Sequence, residues 1–255
     1  MTGKQAHLNR DGELDVAALE ARGDMLSRWS AIKATSPEKM STRDIVVHLS
    51  ANVVAGSDTT AIALRAMIYF LIKNPSKMHK LVKQIDEAYK EGKLSDPISY
   101  KESTTHLPYL YAVMKEAMRL HPSVGLLLER HVPFSGLKIC GVEMPPNTIV
   151  GINAWVTQHD PSVFPDPESF IPERWLEASE DELRKMDQAF FAFGAESRTC
   201  IGRYISLMEM AKVVPQLLRE FEVRMHPLDA EWKCRNVWFV QQTGFICRLT
   251  RREKR

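Results

Sequence analysis

The sequence predicts a mainly α fold with a small β component. Three observations carry this. The run from Ser41 to Lys73 contains no proline and is apolar nearly all round, as a buried helix would be. Two further helices are marked, 76–90 by an apolar face and one from Pro108 by its proline start and the His121-Pro122 stop. Only 134–155 and the tail from Trp232 to Leu249 are cut by turn residues into strand-sized pieces.

Composition narrows the class. With 255 residues, 44% hydrophobic and 26% charged, the chain is globular rather than disordered. A net charge of +2 gives no reason to expect nucleic acid. Cys140, Cys200, Cys234 and Cys247 are scattered without a Cys-x-x-Cys, so neither a zinc site nor a disulfide framework is supported, which fits a reducing compartment. Met1 to Arg22 is polar and does not read as a signal peptide, and no run approaches the ~20 apolar residues of a spanning helix.

Taken in order, residues 1–40 form a polar, helix-rich lead-in with one amphipathic candidate, Val16 to Ile32. Ser41 and Asp44 fit a capping box opening the long helix, which stops before Asn74-Pro75 and would be about 48 Å long. Its middle, Ala55-Gly56-Ser57-Asp58-Thr59-Thr60, breaks the apolar pattern. Burying Asp58 would cost several kcal/mol, roughly, unless it were paired or hydrated. A ligand opening and a kink satisfied by hydroxyl back-bonding both explain this stretch.

On helix 76–90, Met78, Leu81, Val82 and Ile85 mark a packing face, and 91–106 is a polar connection. On the next helix Glu116 and Arg119 stand at i and i+3, the spacing of an ordinary surface ion pair. The run from Ser123 to Leu128 is apolar. Turn signals at Gly141 and Pro145-Pro146-Asn147 imply a minor sheet, and 160–167 is too proline-dense for regular structure. A helix follows Gly202, with a kink or restart at Pro215. The tail from Trp232 reads as a β-hairpin turning at Gly244, and Arg251 to Arg255 as a solvated end.

The chemistry centres on Phe193-Gly194-Ala195-Glu196-Ser197-Arg198-Thr199-Cys200-Ile201-Gly202. A cysteine just ahead of a helix N-terminus suits a thiolate, because free N–H groups and the positive dipole end favour negative charge. Such a thiolate is a nucleophile or a metal ligand, and a nucleophile would want a histidine base, which this stretch lacks. Most lone cysteines are buried and inert.

The ligand reading has a more specific match. The run resembles the haem-binding loop of the cytochrome P-450 family, Phe-x-x-Gly-x-Arg-x-Cys-x-Gly, at Phe193, Arg198, Cys200 and Gly202, with Glu196 in place of the middle glycine. The resemblance implies that Cys200 is the axial thiolate of haem iron. Ala55 to Thr60 is similar to the family's oxygen-activating helix, which implies that Thr59 hydrogen-bonds dioxygen and Asp58 relays protons. Glu116 and Arg119 match the family's Glu-x-x-Arg helix, and Phe170-Ile171-Pro172-Glu173-Arg174-Trp175 its Pro-Glu-Arg segment. Arg174 would bridge that buried pair and brace the cysteine loop.

By the same resemblance Arg130 and Arg198 contact haem propionates, the run from Ser123 to Leu128 lines the substrate side, and Val237 to Val240 reaches the pocket. Gln158-His159 departs from the family's frequent His-Arg and is given no consequence.

The implied fold is the C-terminal part of the cytochrome P-450 fold, a partial domain over 1–255 with the N-terminal half and any membrane anchor absent. The implied activity is haem b-dependent monooxygenation of a small hydrophobic substrate, with O2 and electrons from NADPH through a reductase. An intact homologue would sit on the cytoplasmic face of the endoplasmic reticulum membrane. The long runs look most like fungal pisatin-demethylase-type enzymes, implying hydroxylation or O-demethylation of an aromatic plant or fungal secondary metabolite. Two rivals are a truncated, non-catalytic relative, either a partial gene product or a haem-binding interaction protein, and a member that rearranges peroxides without reductase. The intact Asp58-Thr59 pair argues against the second.

Overall fold

The computed structural model describes residues 15–253, and the expectations for Met1–Leu14, Lys254 and Arg255 lie outside them. The chain divides into two compact units, Met1–Ser57 and Asp58–Arg255.

In the first unit α1 (Val16–Arg22) and α2 (Met25–Thr35) are each opened by an aspartate. Asp15 accepts from Ala18 N–H and Asp24 from Ser27 N–H, satisfying donors that a helix start leaves free. The amphipathic run to Ile32 is therefore two helices, divided at Gly23-Asp24. Next comes α3 (Thr42–Lys73), with its expected cap: Asp44 N–H donates to Ser41 Oγ at 3.2 Å and Ser41 N–H to Asp44 Oδ2 at 2.9 Å. Within this unit Ile45 is buried, but Val46, Val47, Val53 and Val54 are exposed. The expectation of a helix buried all round fails here.

From Asp58 onward, the rest of α3 is followed by α4 (Pro75–Lys90), α5 (Tyr100–His106) and α6 (Pro108–Leu120). The polar connection expected over 91–106 in fact contains α5, set off by a Ser99–Glu102 capping box. Two antiparallel ribbons follow: β1 (Leu128–His131) with a later β4 (Ile149–Ile152), enclosing β2 (Leu137–Ile139) and β3 (Val142–Met144). Short helices α7 (Ala154–Thr157) and α8 (Arg174–Glu177) lead to α9 (Glu180–Ala189) and then α10 (Arg203–Glu220). Strand β5 (Phe221–Met225) pairs with β8 (Cys247–Arg251), and β6 (Lys233–Val237) with β7 (Phe239–Thr243). The terminal hairpin thus turns at Trp238, between the paired Val237 and Phe239, and not at Gly244.

The main core is helical. Ala66, Met67 and Leu71 of α3 pack with Leu81 and Ile85 of α4, Leu110 and Met114 of α6, and Met210 and Val214 of α10. The expected restart at Pro215 does not occur, since α10 runs through it. A proline has no N–H for the carbonyl four residues back, here Ala211. The buried Ser103 hydroxyl of α5 donates to that carbonyl at 2.6 Å and supplies the missing donor.

Candidate functional site

The cysteine loop is closed on itself. Gly194 takes φ 69°, which a side chain resists, and its N–H donates to the Phe191 carbonyl at 2.9 Å. A 3-10 turn, Glu196–Arg198, follows. Cys200 N–H then donates to the Phe193 carbonyl at 2.8 Å, joining the loop's ends, and Arg203 N–H to the Cys200 carbonyl at 3.3 Å as α10 begins. Cys200 is exposed. Its flank is small, because a Cβ on Gly202 would lie 3.9 Å from Sγ. Glu196, where the resemblance expects glycine, takes φ 54°, in the left-handed region.

On α6 lies a buried carboxylate with every lobe engaged. Glu116 and Arg119 have no side-chain exposure and form a two-pronged ion pair, Nε–Oε2 at 3.0 Å and Nη2–Oε1 at 2.9 Å. Arg174 Nε donates to Glu116 Oε1 at 3.1 Å, as does Ile171 N–H at 3.0 Å. The remaining guanidinium donors of Arg119 reach the carbonyls of Gln158, Pro167 and Ser169. Trp175 Nε1 completes the set with a 2.9 Å bond to Glu116 Oε2. Motif reading missed Trp175, although it directly follows Arg174.

On α3 the acid and hydroxyls separate. Asp58 is exposed rather than buried, so the expected desolvation cost does not arise. Thr59 is half-buried, and its carbonyl accepts from Ser123 Oγ at 2.9 Å. Thr60 is buried, with Oγ1 3.0 Å from Ser206 Oγ on α10. These two bonds tie the threonines to the apolar 123–128 segment and to the helix that follows the cysteine. Neither serine was singled out from sequence. The β6–β7 hairpin lies against the same segment: Gly125 N–H donates to the Trp238 carbonyl at 3.0 Å. A Cβ on Gly125 would come within 2.6 Å of Val240 and Asn236 side-chain atoms.

The two arginines are exposed. Arg130 Nη1 donates only to the Glu129 carbonyl, and the Arg198 guanidinium has no partner among the described residues. Arg130 lines a cavity of about 340 Å³ with Leu128, Val150, Phe191, Ala195 and Glu196, bringing the β1–β4 ribbon against the cysteine loop. Two uncommitted guanidiniums suit an anionic group such as a carboxylate. No cluster of three or more His, Cys, Asp or Glu capable of holding an ion occurs among the described residues. A cysteine with no such cluster beside it among the described residues suits an iron that arrives already held by a porphyrin. The donor set fits haem.

The family model described as Cytochrome P450 matches residues 8–246. The chain is 45% identical over 232 residues to the cytochrome P450 monooxygenase ACRTS1 of Alternaria alternata, covering 91% of this chain and 61% of that protein. It is 41% identical over 230 residues to the cytochrome P450 monooxygenase cicH of Emericella nidulans (90% and 46%). It is 42% identical over 229 residues to a pisatin demethylase of Fusarium vanettenii (89% and 42%). The chain thus spans less than two thirds of the length of each of these relatives. The restriction to a C-terminal part of the fold is corrected by the family match, which extends over nearly the whole chain, as does the mainly α architecture with its small β component.

Proposed function

The chain belongs to the cytochrome P450 family, and on that premise we propose that it acts in haem-thiolate monooxygenation in fungal secondary metabolism, with Cys200 as the iron ligand. The observation that carries this is the exposed Cys200 at the mouth of a loop closed by its own N–H on the Phe193 carbonyl, directly ahead of α10. Haem b held there would supply the oxidising chemistry: one atom of O2 enters the substrate and the other leaves as water, with two electrons drawn from NADPH through a reductase.

The protein's own residues do the remaining work. Arg130 and Arg198 would hold the propionates, for which forked, permanently charged guanidiniums are suited. The Phe193 carbonyl holds the Cys200 N–H, and Gly202 leaves the space beside the sulfur open. Asp58 is open to water beside Thr59, so it can take a proton from solvent and hand it on, while Thr59 donates a hydrogen bond to dioxygen. Glu116, Arg119 and Arg174 brace the loop from beneath. Ser123 to Leu128 and Val237 to Val240 present an apolar lining, which suits a small hydrophobic substrate. Hydroxylation or O-demethylation of an aromatic metabolite is the reading nearest the pisatin demethylase relative.

No helix among the described residues is long and apolar enough to cross a membrane. Work at the cytoplasmic face of the endoplasmic reticulum is proposed from the family alone.

The test is the absorbance spectrum of the reduced, carbon-monoxide-treated protein. A strongly red-shifted Soret band that disappears in Cys200→Ser supports the proposal. An unchanged spectrum in that variant removes it.

A further inference from the structure

Gln158 caps the one-turn helix α7 and is fully buried, although sequence reading gave it no consequence. Its amide makes three hydrogen bonds. Nε2 donates to the carbonyls of Met118 at 3.0 Å and Arg119 at 2.9 Å, and Oε1 accepts from Phe191 N–H at 2.8 Å. Turning the amide over would face its oxygen to two carbonyls and its NH2 to an N–H, so the partners fix its orientation. The two carbonyls belong to the last turn of α6, where intrahelical donors have run out. The Gln158 backbone carbonyl in turn accepts from Arg119 Nη1 at 2.8 Å.

Phe191 N–H is where the cysteine loop is first held. From there the Phe191 carbonyl accepts Gly194 N–H at 2.9 Å, and the Phe193 carbonyl accepts Cys200 N–H at 2.8 Å. A continuous path of bonds and short chain segments therefore runs from the Glu116–Arg119 pair through Gln158 to the cysteine.

We propose that Gln158 is a positioning residue that sets the cysteine loop against the end of α6 through Phe191 N–H, and that its amide makes this anchor independent of pH. An amide offers two donors and one acceptor and does not titrate. A histidine, the residue the resemblance leads one to expect here, offers one of each when neutral and no acceptor when protonated. The anchoring of the loop stands on these bonds alone. Any effect on haem rests additionally on the reading of Cys200 as iron ligand.

The test is amide hydrogen exchange at Phe191 and Cys200 in the full chain, from pH 5 to 8, corrected for intrinsic exchange and referenced to α4. Relative to α4, which reports the global loss of stability that His121 brings below pH 6.5, both amides of the wild type should be flat across this range. Gln158→Leu should accelerate both amides roughly tenfold or more relative to α4, at every pH. Gln158→His should resemble wild type at pH 8 and approach Gln158→Leu as the imidazole protonates. It also keeps the test open if Gln158→Leu does not fold. A flat profile in Gln158→His, or acceleration in Gln158→Leu shared equally by α4, overturns the proposal. Should wild type take up no haem, the Cys200 reading fails while exchange still decides the role of Gln158.

Discussion

The Ser103 hydroxyl donates to the Ala211 carbonyl at 2.6 Å, in the place left empty by the N–H that Pro215 lacks. The two residues lie on different helices, and the bond lets α10 continue through its proline. Ser103→Ala should leave a buried carbonyl unpaired and lower stability by about 1–3 kcal/mol. In a Pro215→Ala background the same change should cost much less, because the helix then supplies its own donor. Urea unfolding of the four proteins in a double-mutant cycle measures this, and equal costs in both backgrounds would contradict it.

The left-handed backbone of Glu196 carries a cost that glycine avoids. Glu196→Gly should raise stability by about 1 kcal/mol and increase haem retention, since the strained turn lies within the cysteine loop. Thermal unfolding and haem content per chain are the readouts, and equal values in both forms would dismiss the idea.

The buried carboxylate of Glu116 should be among the least replaceable groups in the chain. Glu116→Gln leaves the Arg119 guanidinium buried without its counter-charge, at a cost of about 3–5 kcal/mol. Trp175→Phe removes one donor while Arg119 Nε still occupies Oε2, so it should cost only about 1 kcal/mol. Soluble yield and denaturant midpoints should rank the two variants in that order. The reverse ranking would mean that the ion pair is not what holds this region.

Acid sensitivity should come in part from His121. Its ring is 2% exposed, stands against Trp155 and Trp232, and leaves Nε2 without a hydrogen-bond partner. Burial lowers its pKa from 6.5 to about 4, with a hydrogen bond to the Val240 backbone acting the other way. Between those values the unfolded chain takes up a proton that the folded chain refuses. Stability is therefore flat above pH 6.5 and falls as pH drops toward 4, by about 3 kcal/mol over the whole window. Urea unfolding at stepped pH should show this slope in wild type and a shallower one in His121→Phe.

Several elements were legible because their cause is local. The Ser41–Asp44 cap, the stops at Asn74-Pro75 and His121-Pro122, and the apolar face of α4 all act within a few residues. Other features were missed because their partners are distant in sequence. Ser99 and Glu102 could have revealed α5 by capping spacing alone, but nothing near Pro215 announces Ser103. Nothing near Phe191 announces Gln158 either. The all-round burial expected of the long helix failed at Val46, Val47, Val53 and Val54 because an apolar composition does not say which stretch of a long helix other elements cover.

By itself the sequence marked the chain as a member of the cytochrome P450 family, because the cysteine loop, the Glu-x-x-Arg spacing and the Pro-Glu-Arg segment are short and contiguous. Only the tertiary structure decided how they are held: the five donors on Glu116, the amide of Gln158 and the hydroxyl under Pro215. Each of those bonds meets a buried polar group that its own segment cannot satisfy, and only folding brings the remote partner into reach.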